Sequence, residues 1–384
     1  MSITMWCQCA FIDMKRLLLI LSFLLGVILT PMSVRGEEHA EAVSSEETKV
    51  DPKKIIFEHL GDGYGWEVPF NHHIRIPLPI IVCDYNGEWH CFSSSRLQHG
   101  DEYDGFKLGS ETSAWPRKVV GIRPVEDAAG NEVIGADGVV EMEEYRPLDF
   151  SITKNVCAIF ITILLVMWMV LKVALLHKRK GYLAPRRFTG LVEFIITFVY
   201  DGVIRPTLKS KALKFAPYLL TVFFFIFISN LLGLMVVFPG GANVTGNIAV
   251  TLALSLMTFL VVNLFGSKHY WKDVFWPDVP MWLKFPIPIM PIIEVFGVFT
   301  KPAALTVRLF ANMMGGHMIV IVLTLLIFIF AAMGPAVTGA ATVVSVFFSI
   351  FMLLIDVLVS FIQAFVFTML STLFISLAQA PEHH

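Results

Sequence analysis

Apolar and polar positions divide the chain into three regions. Lys15 and Arg16 precede an apolar run from Leu17 to Leu29, 13 residues long. At the helical rise of 1.5 Å per residue this is too short for an ordinary membrane span. Val34 and Gly36 stand at plausible cleavage positions, so residues 1–36 read as a secretory signal peptide, with Met14 an alternative start and an uncleaved anchor the competing reading. Residues 37–150 are polar, open on the acidic stretch Glu37 to Glu47, and contain short β-like runs such as HHIRIPLPIIVCDY. They predict a small strand-containing extension outside the cytoplasm.

Five long apolar stretches follow: about Ile152 to Leu176, Phe215 to Phe238, Ile248 to Phe265, 287–333 and 337–379. The last two far exceed the roughly 20 residues that a perpendicular span needs, which predicts a long, tilted helical hairpin. The run FPIPIMP at 285–291 is the natural place for a break. Lys and Arg alternate across the connections. The segments 177–187, 205–214 and 268–284 carry five, four and three, while 239–246 and 333–340 carry none. The positive-inside rule then places the N-terminus outside and the tail, 380–384, in the cytoplasm. Between the first two stretches, Leu191, Ile195, Phe198, Val199 and Gly202 fall near one helical face interrupted by Glu193, Asp201 and Arg205. That pattern predicts an interfacial helix, with a sixth span as the alternative. The expected fold is an all-α polytopic membrane protein of five transmembrane helices plus one interfacial helix over 151–379.

Composition agrees: 56% of the 384 residues are hydrophobic against 16% charged, and Phe occurs 33 times. The chain has neither a basic tract of nucleic-acid type nor a GxxxxGK[ST] phosphate loop, so no nucleotide, nucleic acid or cofactor is expected. Of the five cysteines, Cys7 and Cys9 precede the first apolar run and Cys157 lies in a span. Cys83 and Cys91 flank a turn at Asn86-Gly87 that admits either a disulfide or two free thiols. His59, His72, His73, His90 and His99 follow no standard metal-site spacing, and no metal is expected.

Ionisable groups in hydrocarbon cost roughly 2.5–3.5 kcal/mol each and persist where they face protein or water. The last two stretches contain Glu294, Arg308, Asn312, His317, Asp356, Ser360 and Gln363. If they form an antiparallel hairpin, Arg308 comes level with Gln363, and His317 with Asp356, about one midpoint near Gly334-Pro335-Ala336, where a turn is expected. His317 lies roughly 13 Å outward of Arg308 along the helix, and Glu294 about 21 Å toward the cytoplasm. The layout suggests two offset proton paths around a cation that never deprotonates. Ala304, Ala311, Gly315 and Gly316 leave a small face near Arg308, where a partner helix carrying an acid would fit. Asn230, at the end of a Phe-rich run, reads as structural.

These residues resemble a known family. KPAALTVRLFANMMGGH at 301–317 is similar to the signature of subunit a of F-type ATP synthases, and FVYDGVIRPTL, SNLLGL, GNIAVTLALSLMTF and IQAFVFTMLSTLFIS are similar to its other segments. The resemblance covers about 151–379. It implies that Arg308 faces a ring of c subunits, that Asn312 and Gln363 line the ion path, and that Glu294 stands toward the cytoplasmic channel. His317 and Asp356 then form an outer pair, swapped in order relative to many bacterial relatives and ordered as in the mitochondrial form. It further implies a proton-channel stator subunit in a bacterial inner membrane, with a b-subunit peripheral stalk and the remaining synthase subunits as partners. The N-terminal extension departs from the usual pattern; IFEHLGDGYGW at 56–66 faintly resembles the family's pre-span segment, and insertions of this kind resemble Bacteroidetes-type subunits. Two readings from other classes are a secondary transporter or free-standing proton channel, which an inverted repeat would favour, and a receptor anchored by its spans.

Overall fold

The computed structural model describes residues 61–68, 71–110, 113–125, 142–180, 188–235, 241–275, 289–331 and 335–379. The expected signal peptide, the acidic stretch, His59, Gly334 of the hairpin turn and the tail lie outside them, as do the side chains of His72, His73 and His99. The described residues fall into two compact units, one holding 167–217 and the other 52–166 with 218–384.

Among the described residues, the extension carries eight short strands in three antiparallel sheets. β1 (Gly65–Val68) pairs with β2 (Asn71–Pro77). β3 (Pro79–Cys83) lies between β4 (Trp89–Ser93) and β8 (Leu148–Asp149). β6 (Val119–Pro124) lies between β5 (Phe106–Leu108) and β7 (Met142–Tyr145). Strand alternation explains the core, because successive side chains point to opposite faces. Ile80 and Val82 of β3 turn inward onto Phe92, Leu97, Phe106 and Val119, while Pro79 and Ile81 stay half-buried. Buried Tyr64 donates its hydroxyl to Asp149, and burial, reinforced by that carboxylate, pushes the phenol well above its ordinary range.

The expected choice at Cys83 and Cys91 is decided by register. The turn closes with Asp84 opposite Glu88, and Gly87 takes the positive φ of 83° that a Cβ would oppose. Cys83 therefore pairs with Trp89, and Cys91 with Ile81. The two cysteines are offset by two residues, and both are free thiols.

The helices are α1 (Lys154–Lys180), α2 (Phe188–Val199), α3 (Ala212–Leu234), α4 (Ile248–Leu264), α5 (Lys268–Phe275), α6 (Ile289–Ala331) and α7 (Pro335–Ala378). Four helical stretches among the described residues are long and apolar enough to cross a membrane, or five if the bent pair α4 and α5 counts as one span. The chain is thus a multi-pass membrane protein. The expected separation of an interfacial helix from the second span is not sharp, because 188–234 is one helical stretch of 47 residues. A π turn over Tyr200–Ile204 leads into Arg205–Leu208, so Pro206 sits in a first turn that asks no N–H of it. In this unit His177 Nε2 meets Glu193 Oε1 at 3.2 Å, and the rings of Trp168 and Phe188 lie 6.0 Å apart.

In the other unit α6 packs along α7, with α4 and α3 behind them. Asn247 caps α4 by accepting from the N–H of Ala249 at 3.0 Å. Hydroxyl contacts tie the helices laterally: Tyr218 to Thr258 at 2.9 Å and Ser255 to Thr306 at 2.5 Å. Phe361 of α7 meets Phe223 and Phe227 of α3 edge-on at 5.9 and 5.7 Å. At 43 and 44 residues, α6 and α7 are each roughly 65 Å long, twice the hydrocarbon thickness, which requires a strong tilt. Pro302 lies within α6 without ending it, and the Thr306 hydroxyl donates to its carbonyl at 3.0 Å. The outward faces carry exposed Phe296, Val307, Phe347 and Leu354, as lipid-facing surfaces do.

Candidate functional site

A polar pocket opens between α3, α6 and α7. Its polar lining is Asn230, Asn312, His317, Asp356, Ser360 and Gln363. The antiparallel pairing of two long helices, with α3 beside them, brings these side chains around one pocket. Gly316 makes the approach closest: a Cβ there would stand 2.7 Å from Asp356 Oδ1. Asp356 is 8% exposed, and Ser360 donates its hydroxyl to the Asp356 carbonyl at 2.7 Å. His317 Nε2 and Asp356 Oδ2 are buried with no hydrogen-bond partner among the described residues. Buried polar atoms in folded proteins are nearly always satisfied by protein or water. A titratable ring nitrogen and a carboxylate oxygen, both unsatisfied in one pocket, can take up and pass on a proton.

Of the expected residues, the structure brings Asn312, His317, Asp356 and Gln363 into this pocket. Arg308 is not on its lining. It is exposed on α6, without an ion pair among the described residues, beside exposed Ala304 and Ala311 and half-buried Gly315. Gly316 is corrected: it was expected on the small outward face, but one residue of helix turns it by about 100°, onto Asp356. A Cβ on Gly315, by contrast, would meet nothing within 4 Å among the described residues outside the local helix backbone. Glu294 is half-buried near the start of α6, within electrostatic reach of Tyr270. Tyr270 lines a second pocket with Ser255, Thr258, Asn263 and Lys301.

Asn230 carries more than its expected structural part, since it lines the first pocket and also accepts from the Thr245 hydroxyl at 2.6 Å. Both residues are essentially fully buried. Asn230→Leu would strand the Thr245 hydroxyl, at a cost of about 1–3 kcal/mol. The purified protein should unfold at a lower temperature, and adding Thr245→Val should recover most of the loss. A double variant no better than the single one would show that this bond is not what the substitution removes.

Residues 156–376 match the family model described as ATP synthase A chain, and residues 55–150 match a domain family of unknown function. The chain is similar to ATP synthase subunit a 2 of Chlorobaculum tepidum, 42% identical over 247 residues, which are 62% of this chain and 66% of that protein. It is similar to ATP synthase subunit a of Myxococcus xanthus, at 41% over 62% of this chain and 76% of that one. For ATP synthase subunit a of Chloroherpeton thalassium the figures are 37%, 64% and 73%.

Proposed function

The chain belongs to the ATP synthase A chain family, and from that premise we propose that it is the proton-conducting stator subunit of an F-type ATP synthase. Protons enter from the outer side past Asp356 and His317 and reach a carboxylate on a rotating c ring. After one turn through lipid, that site meets Arg308 and releases its proton toward the cytoplasm near Glu294. Arg308 attracts the ring carboxylate and, being unable to lose its own proton, blocks a direct leak. Each charge crossing 100 mV supplies about 2.3 kcal/mol. ATP itself is made on other subunits, and a b-type peripheral stalk holds this one still. The membrane is a bacterial inner membrane, with five crossings, the N-terminus outside and the C-terminus in the cytoplasm.

The observation that carries this reading is the unsatisfied pair of His317 on α6 and Asp356 on α7 in one pocket, with α6 also exposing Arg308 beside small residues. The test is ATP-driven proton pumping by the assembled complex in liposomes. Asp356→Asn and His317→Ala should each reduce pumping at least tenfold, about 1.4 kcal/mol in the barrier, with the ring still co-purifying. Wild-type pumping by both variants would rule out this pair as the outer path.

A further inference from the structure

The β-stranded extension belongs to a family without an assigned role, yet it is anchored to the membrane helices. The N–H of Lys154 donates to the Gly63 carbonyl at 2.9 Å, and the N–H of Asn155 to Asp62 Oδ1 at 3.2 Å, so the strand segment caps the start of α1. Trp66 of β1 is 2% exposed and packs against Ala158 of α1 and Ala242 and Val244 of the outer connection between α3 and α4. Cys157 packs at the edge of the same cluster.

That connection leads straight to the pocket. Thr245 holds Asn230, which is part of the lining. A Cβ built on Gly233 would lie 3.4 Å from the Ala242 carbonyl and 3.6 Å from His317 Nε2, so the connection and the His317 ring border one narrow space. Lys154 is within electrostatic reach of His317. Two further buried polar atoms have no partner among the described residues: Asn155 Oδ1, at the start of α1, and Asn243 Nδ2, between Ala242 and Val244 in the chain. Asn155 is 5% exposed and Asn243 7%. The Asn243 amide is oriented by the N–H of Gly246, which donates to its Oδ1 at 2.8 Å, so its NH₂ group is the one left over. An orphan acceptor and an orphan donor are the groups that a file of buried water uses.

We propose that the extension roofs the outer entrance of the pocket, with Trp66 clamping residues 241–246, and that protons reach His317 past the amides of Asn155 and Asn243. The inference rests on the reading of His317 and Asp356 as the outer proton path. No covalent step is involved: a proton from the outer water passes along hydrogen-bonded water to the ring nitrogen.

The test uses the assembled complex in liposomes. Asn155→Leu, which keeps the size of the side chain but not its polarity, should slow ATP-driven pumping several-fold, and Asn155→Ser, which keeps a polar group, should pump faster than Asn155→Leu. Trp66→Ala should speed alkylation of Cys157 by a membrane-impermeant maleimide several-fold, read peptide by peptide by mass spectrometry. If Asn155→Leu pumps like the wild type while His317→Ala does not, the roof is overturned and the pocket reading stands. If His317→Ala also pumps normally, the pocket reading itself fails. Unchanged alkylation of Cys157 in Trp66→Ala would equally overturn the roof, and this arm decides the matter should Asn155→Leu not assemble.

Discussion

Arg308→Ala is expected to abolish ATP-driven proton pumping while the complex stays assembled. Arg308 is exposed on α6 and has no ion pair within the described chain, so its removal takes no fold-stabilising contact from this protein. On the proposed mechanism, what it removes is the attraction for a carboxylate arriving on another chain. Removing one partner of a desolvated pair costs on the order of 3–5 kcal/mol, so pumping should fall by roughly a hundredfold or more. Arg308→Lys should restore only part of it, because an ammonium is a compact, strongly hydrated charge that lacks the flat two-pronged fork of guanidinium and can lose its proton. Two measurements decide: co-purification of the ring with the variant, and acidification of liposomes on adding ATP. Normal pumping by an assembled Arg308→Ala complex would refute the coupling role.

The second large effect is expected at Gly316. A methyl group there would stand 2.7 Å from Asp356 Oδ1 and 3.0 Å from its Cγ, so the carboxylate must leave its place beside His317. Overpacking of this kind costs about 1–3 kcal/mol, and on the proposed proton path it would misplace the carboxylate. Gly316→Ala should therefore reduce pumping about tenfold or more, and Asp356→Asn added to it should bring little further loss. Gly315→Ala is the informative companion. Among the described residues nothing outside the local helix backbone lies within 4 Å of the added methyl, and Ala favours a helix over Gly, so the stability of the isolated protein should not fall. If a ring helix docks on this face, pumping should fall all the same. Wild-type pumping by Gly316→Ala would show that the position of Asp356 is immaterial, and wild-type pumping by Gly315→Ala would place the ring elsewhere.

Much of this was legible along the chain because the membrane simplifies the rules. Hydrocarbon excludes charge, so Arg308, His317 and Asp356 stand out by type alone. Helices must satisfy their own backbone in lipid, so apolar length translates into spans. The hairpin pairing was legible too, because a single midpoint near residue 336 sets every depth along two antiparallel helices. Asn312, His317, Asp356 and Gln363 do meet in one pocket.

Direction around a helix was not legible. Gly315 and Gly316 are alike as residues, and only the packing of α7 decides that one faces outward while the other touches Asp356. The partner of Asn230 was equally hidden, because Thr245 lies 15 residues away in the connection between α3 and α4. The Cys83 and Cys91 register turned on where the β3–β4 turn closes, and one residue of shift moves every cross-strand pair. The docking of the extension through Trp66 joins residues some 90 to 180 positions apart. Local sequence determined which groups are costly, how long each span is and how far apart the groups stand along a helix, because those follow from side-chain chemistry and a fixed rise per residue. Which groups touch, and which way each one turns, was decided only by the tertiary structure, since that depends on close packing between segments with no local signal for one another.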